Sequence, residues 1–376
     1  MKKILHIITS LNDGGAEGVL YRLCTYDKDN THVVISLVDG GKYKTLLEEK
    51  NITVYCLNMP RGKIKLKGLV GCFKYLKKEK PDVVQTWMYH ADCIGGIIAR
   101  LSGAKNIYWN VRNSTLLKGK SKSSTILVAK FCSFLSKFLP KKIIYCAHDA
   151  KVIHENLGYS KKIGIVIENG YDLSKYTENE TFKSKFRKSI GLINEYFILG
   201  MIGRYDPQKD HKNLIRSLAL VKKNISNVKL ILTGKDLTND NFLLKKDILE
   251  SNCENDIILL GQQSDIPYVM NGLDLHILSS SFGEAFPNVL AEAMACKIPC
   301  VTTNIGDAAM IVGKTGWVVQ PQNPDAIAAV IIKAIKEQQN SPEMWKLRRQ
   351  AARQQIVDNY SIEKMIMKYH NAWFNI

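Results

Sequence analysis

FILGMIG at residues 197–203 is an apolar run of strand length, and it opens a series that continues through VKLILTG (228–234), IILLG (257–261), LHILS (275–279) and IPCVTT (298–303). An earlier series passes through ILHIIT (4–9), HVVISLV (32–38), ITVYCL (52–57), VVQTW (83–87), NIYWNV (106–111) and KIIYCA (142–147), with helical patterns such as 67–79 and 91–102 between the runs. Short β-rich apolar runs that alternate with helices are the pattern of a parallel sheet covered on both faces. Two such series predict an α/β chain of two doubly wound, Rossmann-like domains facing an interdomain cleft, with ligands at the carboxyl ends of the strands. Between them GIVIENGYDLSKYTENETFKSKFR holds a strand, an Asn-Gly turn and a polar stretch, which puts a linker near 170–190. The expected domains are 1–170 and 171–376, the last helix being a candidate to pack back on the first.

The 376 residues suit about two domains, and 45% hydrophobic with 23% charged residues excludes disorder and collagen-like or small disulfide scaffolds. The net charge of +18 is unevenly spread: residues 1–170 hold 28 basic and 13 acidic side chains, and 171–376 hold 25 and 22. A basic half favours phosphate, anionic lipid or nucleic acid as partner. No apolar run reaches the roughly 18 residues of a membrane span, and the opening MKKILHIITSLNDGGAE lacks a small-residue cleavage site. The nine cysteines form no C-x-x-C, so a reduced, cytoplasmic setting is expected.

After the first strand, Asn12-Asp13-Gly14-Gly15-Ala16-Glu17 turns into an amphipathic run. Backbone amides in such a Gly-Gly turn can approach an anion at a helix N-terminus, and a plain tight turn is the alternative. The pattern is neither G-x-G-x-x-G nor a P-loop. In FGEAFPNVLAEAMA (282–295), Pro287 stands where a helix would begin, leaving Glu284 in the preceding loop and Glu292 in the second turn. A diphosphate could lie against the first amides of that helix, one carboxylate taking sugar hydroxyls and the other ribose hydroxyls. An ordinary surface Glu and helical Glu are the alternative.

The E-x7-E spacing of Glu284 and Glu292, within FGEAFPNVLAEAMACKIPCV, resembles the signature of retaining glycosyltransferase family 4, which has the GT-B fold. GRYDPQKDHKNLIRSL resembles the family's Gly-Arg…Lys element, the Gly-Gly-Ala-Glu turn its N-terminal phosphate-side loop, and IENGYD (167–172) its interdomain segment. TGWVVQPQNPDAIAAVI resembles the turn and helix after the motif. The likeness spans nearly the whole chain and is weakest at 40–75 and 112–142, where acceptor-specific variation is expected. It implies donor contacts from Gly15, Arg204, Lys209, Asn288, Val289, Leu290 and Glu292, with Glu284 and His90 at the reaction centre. His90 follows a strand, where a lone histidine is otherwise a structural residue.

Arg112 and Asn113 end another strand of the first sheet and are candidates for the acceptor side or for structure. In 116–142, Leu127, Phe131, Phe134, Leu135 and Phe138 recur at helical spacing, and Lys130, Ser133, Ser136, Lys137 and Lys141 occupy much of the other surface. We expect a core-packed helix with a lipid-facing edge carrying Lys130, Lys137 and Lys141. Arg61-Gly62-Lys63-Ile64-Lys65-Leu66-Lys67 is a second basic surface or a solvated loop. Asp27-Lys28-Asp29 has D-x-D form but falls in a polar loop, and the histidines lack metal-ligand spacing, so no metal and no cofactor are expected.

The resemblance implies a metal-independent, retaining hexosyl- or N-acetylhexosaminyltransferase. It would take sugar from a nucleotide-sugar donor, UDP-linked by preference, to a lipid-diphosphate-linked saccharide for O-antigen (lipopolysaccharide) or capsule. The anionic inner face of the plasma membrane would be a peripheral partner, and nucleic acid would not. A GT-B sugar-nucleotide epimerase and a basic nucleic-acid-binding protein are the rival readings.

Overall fold

The computed structural model describes residues 1–114, 116, 122–192 and 195–375. Seven parallel strands form the first sheet: β1 (Lys2–Ile8), β2 (Asn30–Ser36), β3 (Thr53–Cys56), β4 (Val83–Trp87), β5 (Ile107–Val111), β6 (Lys142–Tyr145) and β7 (Gly164–Val166). Their spatial order is β3-β2-β1-β4-β5-β6-β7. Six parallel strands form the second: β8 (Phe197–Ile202), β9 (Val228–Thr233), β10 (Ile257–Gly261), β11 (Leu275–Leu278), β12 (Cys300–Thr303) and β13 (Trp317–Val319), in the order β10-β9-β8-β11-β12-β13. Burial on both faces explains the unbroken apolar runs. In β1, Leu5 and Ile7 enter one hydrophobic cluster while Ile4 and Ile8 enter another.

In each sheet the strand order reverses once. β1 lies between β2 and β4, and β8 between β9 and β11. The connections leaving such neighbours go to opposite faces, which opens a crevice at their carboxyl ends. β13 was not among the expected strands; its three residues are too short to stand out from the turn before the next helix.

Met1–Gly170 with Ile362–Ile376 form one compact unit, and Tyr171–Ser361 the other. The C-terminal unit therefore ends at 361 and not at 376. Met365, Tyr369, Ala372 and Trp373 of helix Ile362–Phe374 make a buried stripe at helical spacing and pack with Ile4, Ile8 and Trp87. Trp373 Nε1–H donates to Gln85 Oε1 at 3.0 Å, and Asn110 Nδ2 donates to Tyr369 Oη at 2.6 Å.

The same region contains a buried polar relay. Trp87 Nε1–H donates to His6 Nδ1 at 3.1 Å, which assigns the His6 proton to Nε2, 2.9 Å from His32 Nδ1. His32 Nε2 then donates to Asp27 Oδ2 at 3.1 Å, an oxygen that His370 Nε2 also approaches at 2.9 Å. Burial lowers the His6 pKa well below the ordinary imidazole value. Burial alone would raise the Asp27 carboxyl, but hydrogen bonds from His32, His370 and Asn30 outweigh it and hold the group well below its usual range. Asp27 is thus a structural anion that anchors the last helix.

Residues 171–190 are not a loose linker. Helix Glu180–Ser189 buries Phe186 and Arg187, whose guanidinium reaches Asp274 at 2.8 Å and donates to Gly272 O. The expected 116–142 helix is also corrected. It spans Ser123–Leu135, and residues 117–121 of that basic segment lie outside the described ones. Ala129 and Cys132 face the interior because small side chains permit close packing, and Cys132 Sγ lies 3.4 Å from Tyr89 O. The larger stripe points outward: Leu127, Phe131, Phe134 and Phe138 are 69%, 50%, 58% and 71% exposed. Among the described residues, no helix is long and apolar enough to cross a membrane.

Because Asp27 has a depressed pKa in the folded state, its contribution to stability is present above the unfolded value near 3.9 and is lost as pH falls below it. Asp27→Asn should cost about 2–3 kcal/mol at pH 7. Urea unfolding should show this deficit narrowing below about pH 4; an equal deficit at pH 3 and 7 would contradict the anionic anchor.

Candidate functional site

In the C-terminal unit the strand order brings together two segments far apart in sequence. The chain leaving β8 carries Arg204 and Lys209, and the chain leaving β11 carries Glu284. Lys209 Nζ lies 2.7 Å from Glu284 Oε1, with side-chain exposures of only 11% and 8%. Ser280 Oγ donates to the same carboxylate oxygen at 2.6 Å. Ser279 Oγ donates to the Lys209 and Asp210 carbonyls, and Ser281 N–H donates to Gln208 O, locking one loop to the other. Gly306 supports the Glu284 loop from beneath: its φ is +59°, and a Cβ there would lie 2.2 Å from Glu284 O.

Arg204 is exposed and donates from Nε to Asp206 Oδ2 at 3.0 Å. Arg204 is thus exposed where Lys209 is nearly buried. Two further groups, His211 and His276, escaped the sequence reading because no spacing motif joins them to Lys209. Burial, followed by the positive charge of Lys209, lowers their pKa values to about 4 and about 3. Both stay neutral at pH 7, so Lys209 supplies positive charge without cationic histidines beside it.

Helix Asn288–Ala295 begins with Pro287 at the N-cap, in extended conformation and without a side-chain cap. Asn288, Val289 and Glu292 share its half-buried face at i, i+1 and i+4. Leu290 does not belong there. Its side chain is fully buried and packs the helix, and its N–H donates to Pro287 O at 3.2 Å.

Gly15 opens helix Gly15–Tyr26, but the chain's own carboxylate crowds this turn. A Cβ on the preceding Gly14 would lie 2.4 Å from Glu17 Oε2, so the missing side chain is what admits the Glu17 carboxyl. Burial raises that carboxyl's pKa. The turn at Gly15 thus has the Glu17 carboxyl folded back beside it.

His90 follows β4 in a locally unusual backbone. Met88 has φ +71°, and Ala91–Gly95 form a π-helical turn. Strain and π-turns of this kind concentrate at functional sites. His90 is half-buried, which lowers its pKa, and it lines a cavity with Thr9 and Ser10 from the end of β1. Arg112 is engaged elsewhere: it donates to Asn110 Oδ1 at 3.2 Å and to Asn169 Oδ1, and its guanidinium lies 5.6 Å from the Trp87 ring centre. Asn113 hydrogen-bonds Tyr89. Both pin the carboxyl edge of the sheet. Lys130, Lys137 and Lys141 are exposed and belong to neither site.

Residues 182–355 match the family model described as "Glycosyl transferases group 1". The capsular polysaccharide biosynthesis glycosyltransferase CapM of Staphylococcus aureus is 28% identical over 329 residues, covering 83% of this chain and 82% of CapM. A UDP-Gal:alpha-D-GlcNAc-diphosphoundecaprenol alpha-1,3-galactosyltransferase of Escherichia coli is 25% identical over 317 residues, 83% of this chain and 80% of its own. The crystal structure of Anabaena Alr3699/HepE in complex with UDP superposes with a TM-score of 0.86 at 23% identity and full coverage of both chains. That likeness establishes the fold.

Lys209→Met should leave the Glu284 carboxylate buried without its cation and cost about 3–5 kcal/mol. Lys209→Met with Glu284→Gln should recover more than half of that loss. A urea double-mutant cycle measures the coupling, and strictly additive losses would show that the pair is not energetically linked.

Proposed function

We propose that this chain, a glycosyltransferase by its group 1 domain and its GT-B fold, moves a hexose or N-acetylhexosamine from a UDP-linked donor to a lipid-diphosphate-linked saccharide. The buried Lys209–Glu284 pair at the β8/β11 crevice carries this reading, since it lies in the part of the chain that matches the family model. Lys209 and Arg204 neutralise the donor diphosphate, together with the N-terminal end of helix Asn288–Ala295. With these positive groups, departure of the nucleoside diphosphate needs no metal. Glu292 accepts from the ribose hydroxyls, and Asn288 and Val289 border it on the same helical face.

Glu284 orients sugar hydroxyls while the adjacent ammonium keeps its charge balanced. It is not assigned as a covalent nucleophile. Transfer with retention proceeds on one face of the sugar: the acceptor oxygen bonds to C1 as the C1–phosphate oxygen bond breaks, and the departing phosphate oxygen takes the acceptor proton. His90, neutral through burial, hydrogen-bonds the sugar or the acceptor hydroxyl.

A lipid-linked acceptor calls for a membrane-facing surface, and helix Ser123–Leu135 supports one. Phe131, Phe134 and the following Phe138 are exposed aromatic side chains, with Lys130, Lys137 and Lys141 also exposed. Aromatic rings in the interface and lysines on lipid phosphates bind an anionic leaflet together. These exposed groups support a peripheral position on the cytoplasmic face in surface-polysaccharide synthesis.

A panel of UDP-sugars offered with a polyprenyl-diphosphate-linked saccharide, read by product mass and linkage, should yield one added sugar with retained configuration. No transfer from any UDP-sugar would overturn the donor assignment. Glu292→Ala should lower kcat/KM for the donor about 100-fold, or ~2.7 kcal/mol, with unchanged far-ultraviolet circular dichroism. In cosedimentation with anionic vesicles, Lys130→Glu/Lys137→Glu/Lys141→Glu should bind roughly tenfold more weakly, at about 1 kcal/mol or less per lysine; equal sedimentation would remove the membrane surface.

A further inference from the structure

The cavity beside His90 encloses about 570 Å³, within the size range of small-molecule sites. Three strand ends open onto it, through Ser10 after β1, Leu37 after β2 and His90 after β4, while Val128 of helix Ser123–Leu135 closes a side. Met59, Pro60, Ile64 and Ile94 make its wall predominantly apolar.

Its charge comes from one turn. Lys63 N–H donates to Pro60 O at 3.0 Å and Gly62 adopts φ +76°, so Arg61 and Lys63 flank a tight, exposed bend at the cavity's edge. Among the described lining residues there is no carboxylate. Thr9, Ser10 and His90 give the cavity only a small polar patch, and a sugar or nucleotide filling it would leave the apolar wall unused. The lining instead suits a hydrocarbon that ends in an anion. It also reaches the surface: Ile64 is 61% exposed, and Leu127, next to Val128 in sequence, is 69% exposed.

We propose that this cavity holds the diphosphate and first isoprene units of a polyprenyl-diphosphate-linked acceptor. Arg61 and Lys63 bind the diphosphate through charge-assisted hydrogen bonds, and the chain lies along Met59, Ile64 and Val128 towards the exposed apolar surface. The assignment rests on the lipid-acceptor reading and adds the groups that recognise that lipid.

Farnesyl diphosphate, titrated calorimetrically into the full chain without donor or vesicles, tests it. The wild type should bind this probe roughly tenfold or more tightly than inorganic diphosphate or farnesol. Arg61→Glu/Lys63→Glu should weaken binding roughly tenfold or more, and Val128→Trp should block the cavity, both with UDP affinity unchanged. If Val128→Trp loses its cooperative thermal transition, Ile64→Asp takes its place. Wild-type affinity in the charge-reversed variant would overturn the proposal, as would displacement of the probe by UDP at UDP's own Kd. Farnesyl diphosphate binding that the variants abolish, without sugar transfer to any lipid acceptor, would sustain the cavity and overturn the transferase reading. Transfer with wild-type acceptor KM in both variants would do the reverse.

Discussion

The ion pair between Lys209 and Glu284 is the contact around which the C-terminal unit is arranged. Two nearly buried charges 2.7 Å apart are costly to remove from water, and their attraction offsets that cost only when the geometry is held closely. The surrounding structure supplies that hold through Ser280 on the carboxylate, Ser279 on the backbone around Lys209, and Gly306 beneath Glu284. A well-packed hydrophobic pair of similar volume would stabilise the fold equally well, so fold stability alone does not call for charge at this position. His211 and His276, buried and neutral, add no positive charge to that of Lys209.

Strand order repeats this logic in the first sheet. β1 and β4 are neighbours although the residues of β2 and β3 separate them in sequence, and their carboxyl ends bring Ser10 to the same cavity as His90. The strained Met88 and the π-turn at Ala91–Gly95 aim His90 at that opening. Each unit thus places its chemically distinctive residues at a reversal of strand order. One crevice is built around charge and the other around apolar surface with cations at its edge.

Outside the crevices, packing overrode helical periodicity. The Leu127–Phe138 stripe has the spacing of a core face, yet Ala129 and Cys132 take the interior because a close helix approach admits only small side chains. The Asp27 relay is similar. As part of a D-x-D sequence it resembles a metal ligand, whereas in the fold His32 and His370 surround it and tie the final helix to the first sheet.

The sequence alone determined the parallel α/β architecture, since strands buried on both faces must be continuously apolar and that pattern survives in one dimension. It also set Glu284 and Glu292 apart, because a proline-started helix after a strand is a local feature, whereas Arg204 and Lys209 stood out only through the family resemblance of GRYDPQKDHKNLIRSL. Tertiary structure decided the rest. Only strand order could bring Lys209 to Glu284, reveal His211 and His276 beside them, exclude Leu290 from the helix's open face and return residues 362–376 to the first unit. These facts depend on which surfaces meet, and hydrophobic period records that a face is buried without recording what buries it.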